Sequence, residues 1–130
     1  MYAETTRSVL ITVETEYLPE YSEPEKRKHF WAYHITIENR GAETVQLINR
    51  YWRIVDGAGH VEEVSGPGVV GEQPVLAPGQ RFKYTSGAPL AVPGGFMSGH
   101  YEMATAGGER FNAIVPAFSL DLPQQTARVH

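Results

Sequence analysis

Trp31, Tyr33, Ile35 and Ile37 alternate with Ala32, His34, Thr36 and Glu38. A two-residue period of this kind gives an apolar face and a wet face only when the chain is an extended strand. Val9, Ile11 and Val13 keep the same period against Leu10, Thr12 and Glu14. In a third run, Val45 and Leu47 begin in one phase, and Trp52 and Ile54 continue in the opposite one. One extra residue exchanges the two faces of a strand, so a bulge or bend is expected near Asn49 to Tyr51. Phe82 with Tyr84, Met97 with Tyr101 and Met103, and Phe111 with Ala113 and Val115 supply further strands. Nowhere do apolar residues recur at i, i+3, i+4 and i+7 over three turns, as an amphipathic helix requires.

The punctuation between these runs is that of hairpins. Asp56-Gly57-Ala58-Gly59 reads as a turn joining Trp52–Val55 to His60–Val64. Pro78-Gly79 suits the central positions of a type II turn, where proline fixes φ and glycine takes the positive φ. Thr105-Ala106-Gly107-Gly108-Glu109 reads as a glycine hairpin, and the charged segment Glu20 to Lys28, with Pro24 inside it, as a mobile loop. About seven short strands in a chain with 9 prolines and 13 glycines predict an all-β fold. The expected form is an antiparallel β-sandwich, immunoglobulin or fibronectin type III-like, with a closed barrel as the alternative. At 130 residues the chain suits a single domain, expected over residues 1–122, with 123–130 as a flexible tail.

Charge and cysteine content narrow the function classes. The formal net charge is −4 and the basic residues are scattered. That argues against nucleic acid or an anionic membrane as a direct partner, since both are held by clustered Lys and Arg. With no cysteine, thiolate chemistry, disulfides and cysteine-based zinc sites are excluded. Met1 to Arg7 carries no apolar run, and no stretch reaches the roughly 20 apolar residues that span a bilayer. A cytoplasmic protein is expected.

The motif that most invites a functional reading is Gly66-Pro67-Gly68-Val69-Val70-Gly71-Glu72-Gln73-Pro74. It contains the letters G-x-G-x-x-G, yet a dinucleotide turn needs a helix to open behind the glycines and receive the pyrophosphate. Pro74 and Pro78 follow too closely for that. A structural reading has Gly66 and Gly68 at positive φ, Pro67 stiffening the turn, and Val69 with Val70 anchoring it to the core. An anion-binding nest is a second reading, opposed by Glu62, Glu63 and Glu72, each worth roughly 1 kcal/mol of repulsion at about 4 Å in water. A recognition surface made by Gly66, Gly68, Val69, Val70, Gly71 and Glu72 is the functional reading preferred here.

Taken together with Tyr51-Trp52-Arg53-Ile54, Leu76-Ala77-Pro78-Gly79, Tyr84-Thr85-Ser86-Gly87, Met97-Ser98-Gly99-His100-Tyr101 and Phe111, Ile114, Pro116 and Phe118, this stretch resembles the ApaG family over residues 5–122. Ala88, where many relatives carry cysteine, and Phe96, where a smaller residue is usual, are departures. The resemblance implies a fibronectin type III-like sandwich and a partner-binding role, as in eukaryotic proteins that carry the domain beside an F-box or within a polymerase-delta-interacting protein. It also implies an association with cobalt resistance, magnesium efflux and diadenosine tetraphosphate metabolism, and brings no catalytic residues.

Other constellations are weak. The five histidines, His29, His34, His60, His100 and His130, include no pair with metal-ligand spacing. Ser98 lies two residues from His100, but no nucleophile elbow accompanies any serine. Tyr51 and Phe30 fall in the outward phase of their strands and would serve as interface anchors. The expectation is therefore a non-enzymatic protein-binding module without a cofactor, able to pair through a strand edge or as a homodimer. The alternative is a small-ligand binder taking nucleotide, pyrophosphate or a divalent cation at Gly66 to Gly71.

Overall fold

A computed structural model describes residues 1–123, in nine strands. These are β1 (Tyr2–Thr6), β2 (Val9–Tyr17), β3 (His29–Asn39), β4 (Val45–Asp56), β5 (Val61–Pro67), β6 (Val75–Leu76), β7 (Arg81–Leu90), β8 (Gly95–Thr105) and β9 (Arg110–Leu120). One sheet has the order β1-β2-β3-β7, and the other β5-β4-β8-β9 with β6 paired to β4. Every pairing is antiparallel. The fold is the expected all-β sandwich rather than a barrel, with nine strands in place of about seven. The expected tail lies, from residue 124 onward, outside the described residues.

The two additional strands are β1 and β6. β1 joins β2 through Arg7 and Ser8, both at positive φ (47° and 68°). That geometry is a mirror-image hairpin turn normally signalled by Asn or Gly, and neither residue is present. The remaining turns match their letters. In the Pro78-Gly79 turn the Gln80 N–H reaches the Ala77 carbonyl at 2.9 Å, with Gly79 at φ 86°. At Asp56 the carboxylate accepts from the Ala58 and His60 amides (2.9 and 3.0 Å). The charged segment between β2 and β3 is built from two single 3₁₀ turns, Pro19–Tyr21 and Pro24–Lys26. Glu23 and Lys28 bridge it by exchanging backbone hydrogen bonds.

Alternation delivers the core. Val9, Ile11, Val13, Trp31, Tyr33, Ile35 and Ile37 from the first sheet pack against Leu47, Trp52, Met97, Tyr101, Met103 and Phe118 from the second. Full burial of each such side chain favours folding by about 1.5–3 kcal/mol. The phase exchange in β4 is a register shift between Leu47 and Asn49, one residue before the expected span. Its consequence is specific. Beyond the bulge, the inward series runs Arg50, Trp52, Ile54, so a guanidinium follows the bulge onto the inner face.

The sandwich is not closed equally on its two sides. β1 and β2 pack along β9, whereas β5 and β7, the opposite edges of the two sheets, make no comparable contact. Between them lies an open mouth.

Candidate functional site

The glycine loop sits at one end of that mouth. β5 runs to Pro67 with Gly66 opposite Arg50 and Pro67 opposite Asn49, and the Gly68 N–H then reaches the Ile48 carbonyl at 2.9 Å. Val69 and Glu72 exchange backbone hydrogen bonds (2.8 and 2.9 Å), which makes Val70-Gly71 a two-residue hairpin tip. Both tip residues have positive φ, 44° for Val70 and 81° for Gly71, as a type I′ turn demands. No helix follows, so the dinucleotide reading fails on geometry. The amides of Val69 and Glu72 are already consumed within the loop, and that of Gly68 by the Ile48 carbonyl of β4. Those of Val70 and Gly71 have no acceptor among the described residues.

Two sequence expectations about this loop need correction, and one holds. Gly66 is not at positive φ. Its role is close approach, since a Cβ there would lie 3.1, 3.2 and 3.3 Å from Nη1, Nη2 and Cζ of Arg50. Near-equal distances mean that the guanidinium plane lies flat over Gly66. Gly68 does need positive φ (62°), and a Cβ on it would meet the Glu72 carbonyl oxygen at 2.2 Å. Val69 and Val70 do not act together as anchors. Val69 is 1% exposed and belongs to the core, but Val70 is 56% exposed. The tip is therefore an apolar, β-branched side chain held in the left-handed region and presented to solvent.

Arg50 ties the loop to the mouth. Its Nη1 donates to the Pro67 and Gly68 carbonyls, both at 3.0 Å. On the inner face it is flanked across β8 by Tyr101, whose hydroxyl is hydrogen-bonded to that of Tyr84 from the opposite sheet. Tyr33 stands opposite Ser86 on the neighbouring pair of strands. Burial pushes the Tyr33, Tyr84 and Tyr101 hydroxyls above the ordinary tyrosine pKa, and the positive charge of Arg50 partly offsets this in all three. Two recesses open here. One, of about 260 Å³, runs under the loop tip from Val69, Val70 and Gly71 to Tyr84. The other, of about 290 Å³, runs along β5 and β7 to Glu62 and Pro89. Both are lined by Tyr33, Arg50, Trp52 and Ser86. Sequence reasoning took the aromatics as core and passed over Arg50. Extending the Trp52-Ile54 alternation back by two residues would have found it.

The other sequence-derived residues lie elsewhere. His34 bonds Thr85 and Glu16 on the outer face of the first sheet. His60 contacts Asp56 in its hairpin. His100 stacks on Tyr51 on the outer face of the second sheet, ring centroids 5.1 Å apart, and makes no bond to Ser98. His29 is buried beside Tyr17 and Trp31. Among the described residues no three His, Asp or Glu side chains converge in a metal-holding group. No helix among them is long and apolar enough to cross a membrane. Tyr51 is held by Glu63 (2.9 Å), and Phe30 lies against Tyr21 and over Gly87.

Loop, arginine and tyrosines all fall within residues 19–105, which match the ApaG domain family model. The chain is 58% identical to Protein ApaG of Parvibaculum lavamentivorans over 130 residues, covering 100% of both. It is 59% identical to Protein ApaG of Rhodospirillum centenum over 128 residues, 98% of each. The crystal structure of the ApaA protein from Bordetella pertussis superposes with a TM-score of 0.87 at 42% identity, covering 89% of this chain and 94% of that one. With the sandwich, the glycine hairpin and this coverage in agreement, the chain belongs to the ApaG domain family.

Proposed function

We propose that this chain is a non-enzymatic cytoplasmic protein-binding module whose contact is the Val69–Glu72 hairpin and the edge of β5 beside it. The observation that carries this reading is Val70. A β-branched residue in the left-handed region is strained, and a free-standing type I′ tip favours Asn or Gly. Solvent gives no reason to keep valine there, because its side chain is largely exposed. A partner that covers the methyl groups supplies one, and residual backbone strain is characteristic of such contact points. The stiff base supports the same reading: Arg50, Gly68 and buried Val69 fix where the tip points, which lowers the ordering cost of binding. In this view the family's link to cobalt resistance and magnesium efflux runs through the partner.

The test uses the full chain as bait in an extract of its own cells. Val70→Asp, at an exposed position where Asp tolerates positive φ better than valine, is compared with wild type and with Phe96→Asp. Phe96 is 62% exposed and pairs with Val55 at the opposite end of β4 from the loop. Loss of one stoichiometric partner from Val70→Asp alone is the expected result. Equal recovery by all three proteins removes the hairpin as the contact.

A further inference from the structure

We infer that the mouth between β5 and β7 is an oxyanion site, in which Arg50 holds the carboxylate or phosphate of a small organic anion whose apolar body lies against Tyr33 and Trp52. This goes beyond the hairpin contact and does not depend on it.

Four observations converge. First, Arg50 sits half-buried on the inner face at the mouth, where its charge loses part of its hydration. Among the described residues no carboxylate lies within ion-pair distance of it. Second, the guanidinium is positioned but only half used. Nη1 is committed to two carbonyls and the plane is seated flat on Gly66. The Nε–Nη2 edge has no acceptor among the described residues, and a guanidinium edge with two parallel N–H groups matches the two oxygens of a carboxylate or phosphate. Third, Tyr33 and Ser86 line the recess that holds Arg50, placing neutral hydroxyl-bearing side chains beside the cation, while the Tyr84 hydroxyl is already paired with that of Tyr101. Fourth, recesses of about 260 and 290 Å³ meeting at Tyr33 and Trp52 leave room for a compact apolar body beside the charged group.

Glu62 lines the longer recess and sets the charge limit. A second negative charge on the ligand would meet it, so the site selects a single oxyanion over a polyphosphate.

The experiment titrates the full chain with benzoate, phenyl phosphate, benzyl alcohol and pyrophosphate while following the Arg50 Nε–H resonance. Saturable shifts with benzoate or phenyl phosphate are expected, half-complete near or below about 1 mM, with no saturation by benzyl alcohol. The tighter of the two anions identifies the natural headgroup as carboxylate or phosphate. Arg50→Gln should abolish the response. Because that variant also releases the loop, Tyr33→Phe, which keeps both Arg50–carbonyl bonds, provides the second arm and should weaken binding about 3–10-fold, the loss of one neutral hydrogen bond. Tyr33 lies outside the hairpin, so Tyr33→Phe should weaken this titration while leaving partner capture through the hairpin unchanged, and failure of the hairpin reading and failure of this one are separable. An unresponsive Arg50 Nε–H, equal binding of benzyl alcohol, or pyrophosphate binding tighter than phenyl phosphate would overturn the assignment.

Discussion

Two alanine substitutions three residues apart should differ severalfold in cost, although both replace a glycine at positive φ. At Gly71 (φ 81°) an added Cβ meets no atom of the described residues within 4 Å. The penalty there is the left-handed backbone alone, about 1–2 kcal/mol. At Gly68 (φ 62°) the same backbone penalty applies, but the new methyl lies 2.2 Å from the Glu72 carbonyl oxygen. That oxygen accepts the Val69 N–H at 2.8 Å, so the clash and the hairpin's closing bond compete for one atom. Swinging the carbonyl away forfeits about 1 kcal/mol for the hydrogen bond. Lifting Val69 out of the core forfeits about 1.5–3 kcal/mol more. Gly68→Ala should therefore cost about 3.5–6 kcal/mol, and Gly71→Ala about 1–2 kcal/mol. Urea unfolding followed by tryptophan fluorescence reads the difference as a shift in midpoint at constant slope. Equal costs for the two variants would refute the reasoning, because they would mean that the loop closes without the Val69–Glu72 pair.

Three further outcomes follow from buried polar groups. Tyr84→Phe and Tyr101→Phe should each cost about 1–3 kcal/mol, because each strands the other's hydroxyl in the core, while the double variant costs less than their sum; additive costs in a urea double-mutant cycle would deny the pair. Alkali should unfold the chain early. The folded pKa values of Tyr33, Tyr84 and Tyr101 are raised above 10.0, so the unfolded state releases these protons first. Their contribution is intact below about pH 10 and is lost above it, by about 1.4 kcal/mol per pH unit for each tyrosine, and the double phenylalanine variant should flatten that slope. Asn39→Ala should cost about 2–4 kcal/mol in urea. Asn39 is 1% exposed, and its side chain bonds the Glu43 and Leu76 carbonyls and the Gly41 amide at 2.8–2.9 Å.

Most of the sandwich was legible because burial on one face writes a period of two into the letters. The phase exchange between Leu47 and Trp52 even located the bulge to within a residue. β1 was not legible for a physical reason: Tyr2 and Thr6 are only half-buried at an edge, and its turn places Arg7 and Ser8 where Asn or Gly would announce a hairpin. β6 is two residues long, too short to carry a period. In the glycine loop, composition identified a shaped turn but could not distinguish glycines that need positive φ from one that makes room for a neighbour. Gly66 serves Arg50, which lies 16 positions earlier in sequence and meets it only because β4 and β5 pair in this register. Nor do the adjacent letters Val69-Val70 reveal that one points into the core and the other out, since that follows from the type I′ tip.

The most direct measurement of the proposed contact is amide hydrogen exchange at Val70 and Gly71, with and without the captured partner. Neither amide has an acceptor in the described residues, so both should exchange rapidly in the free chain, while Val69 and Glu72, bonded to each other, exchange more slowly. In the complex, Val70 and Gly71 should become strongly protected. A stable complex in which these two amides exchange as fast as in the free chain would contradict the hairpin tip as the contact.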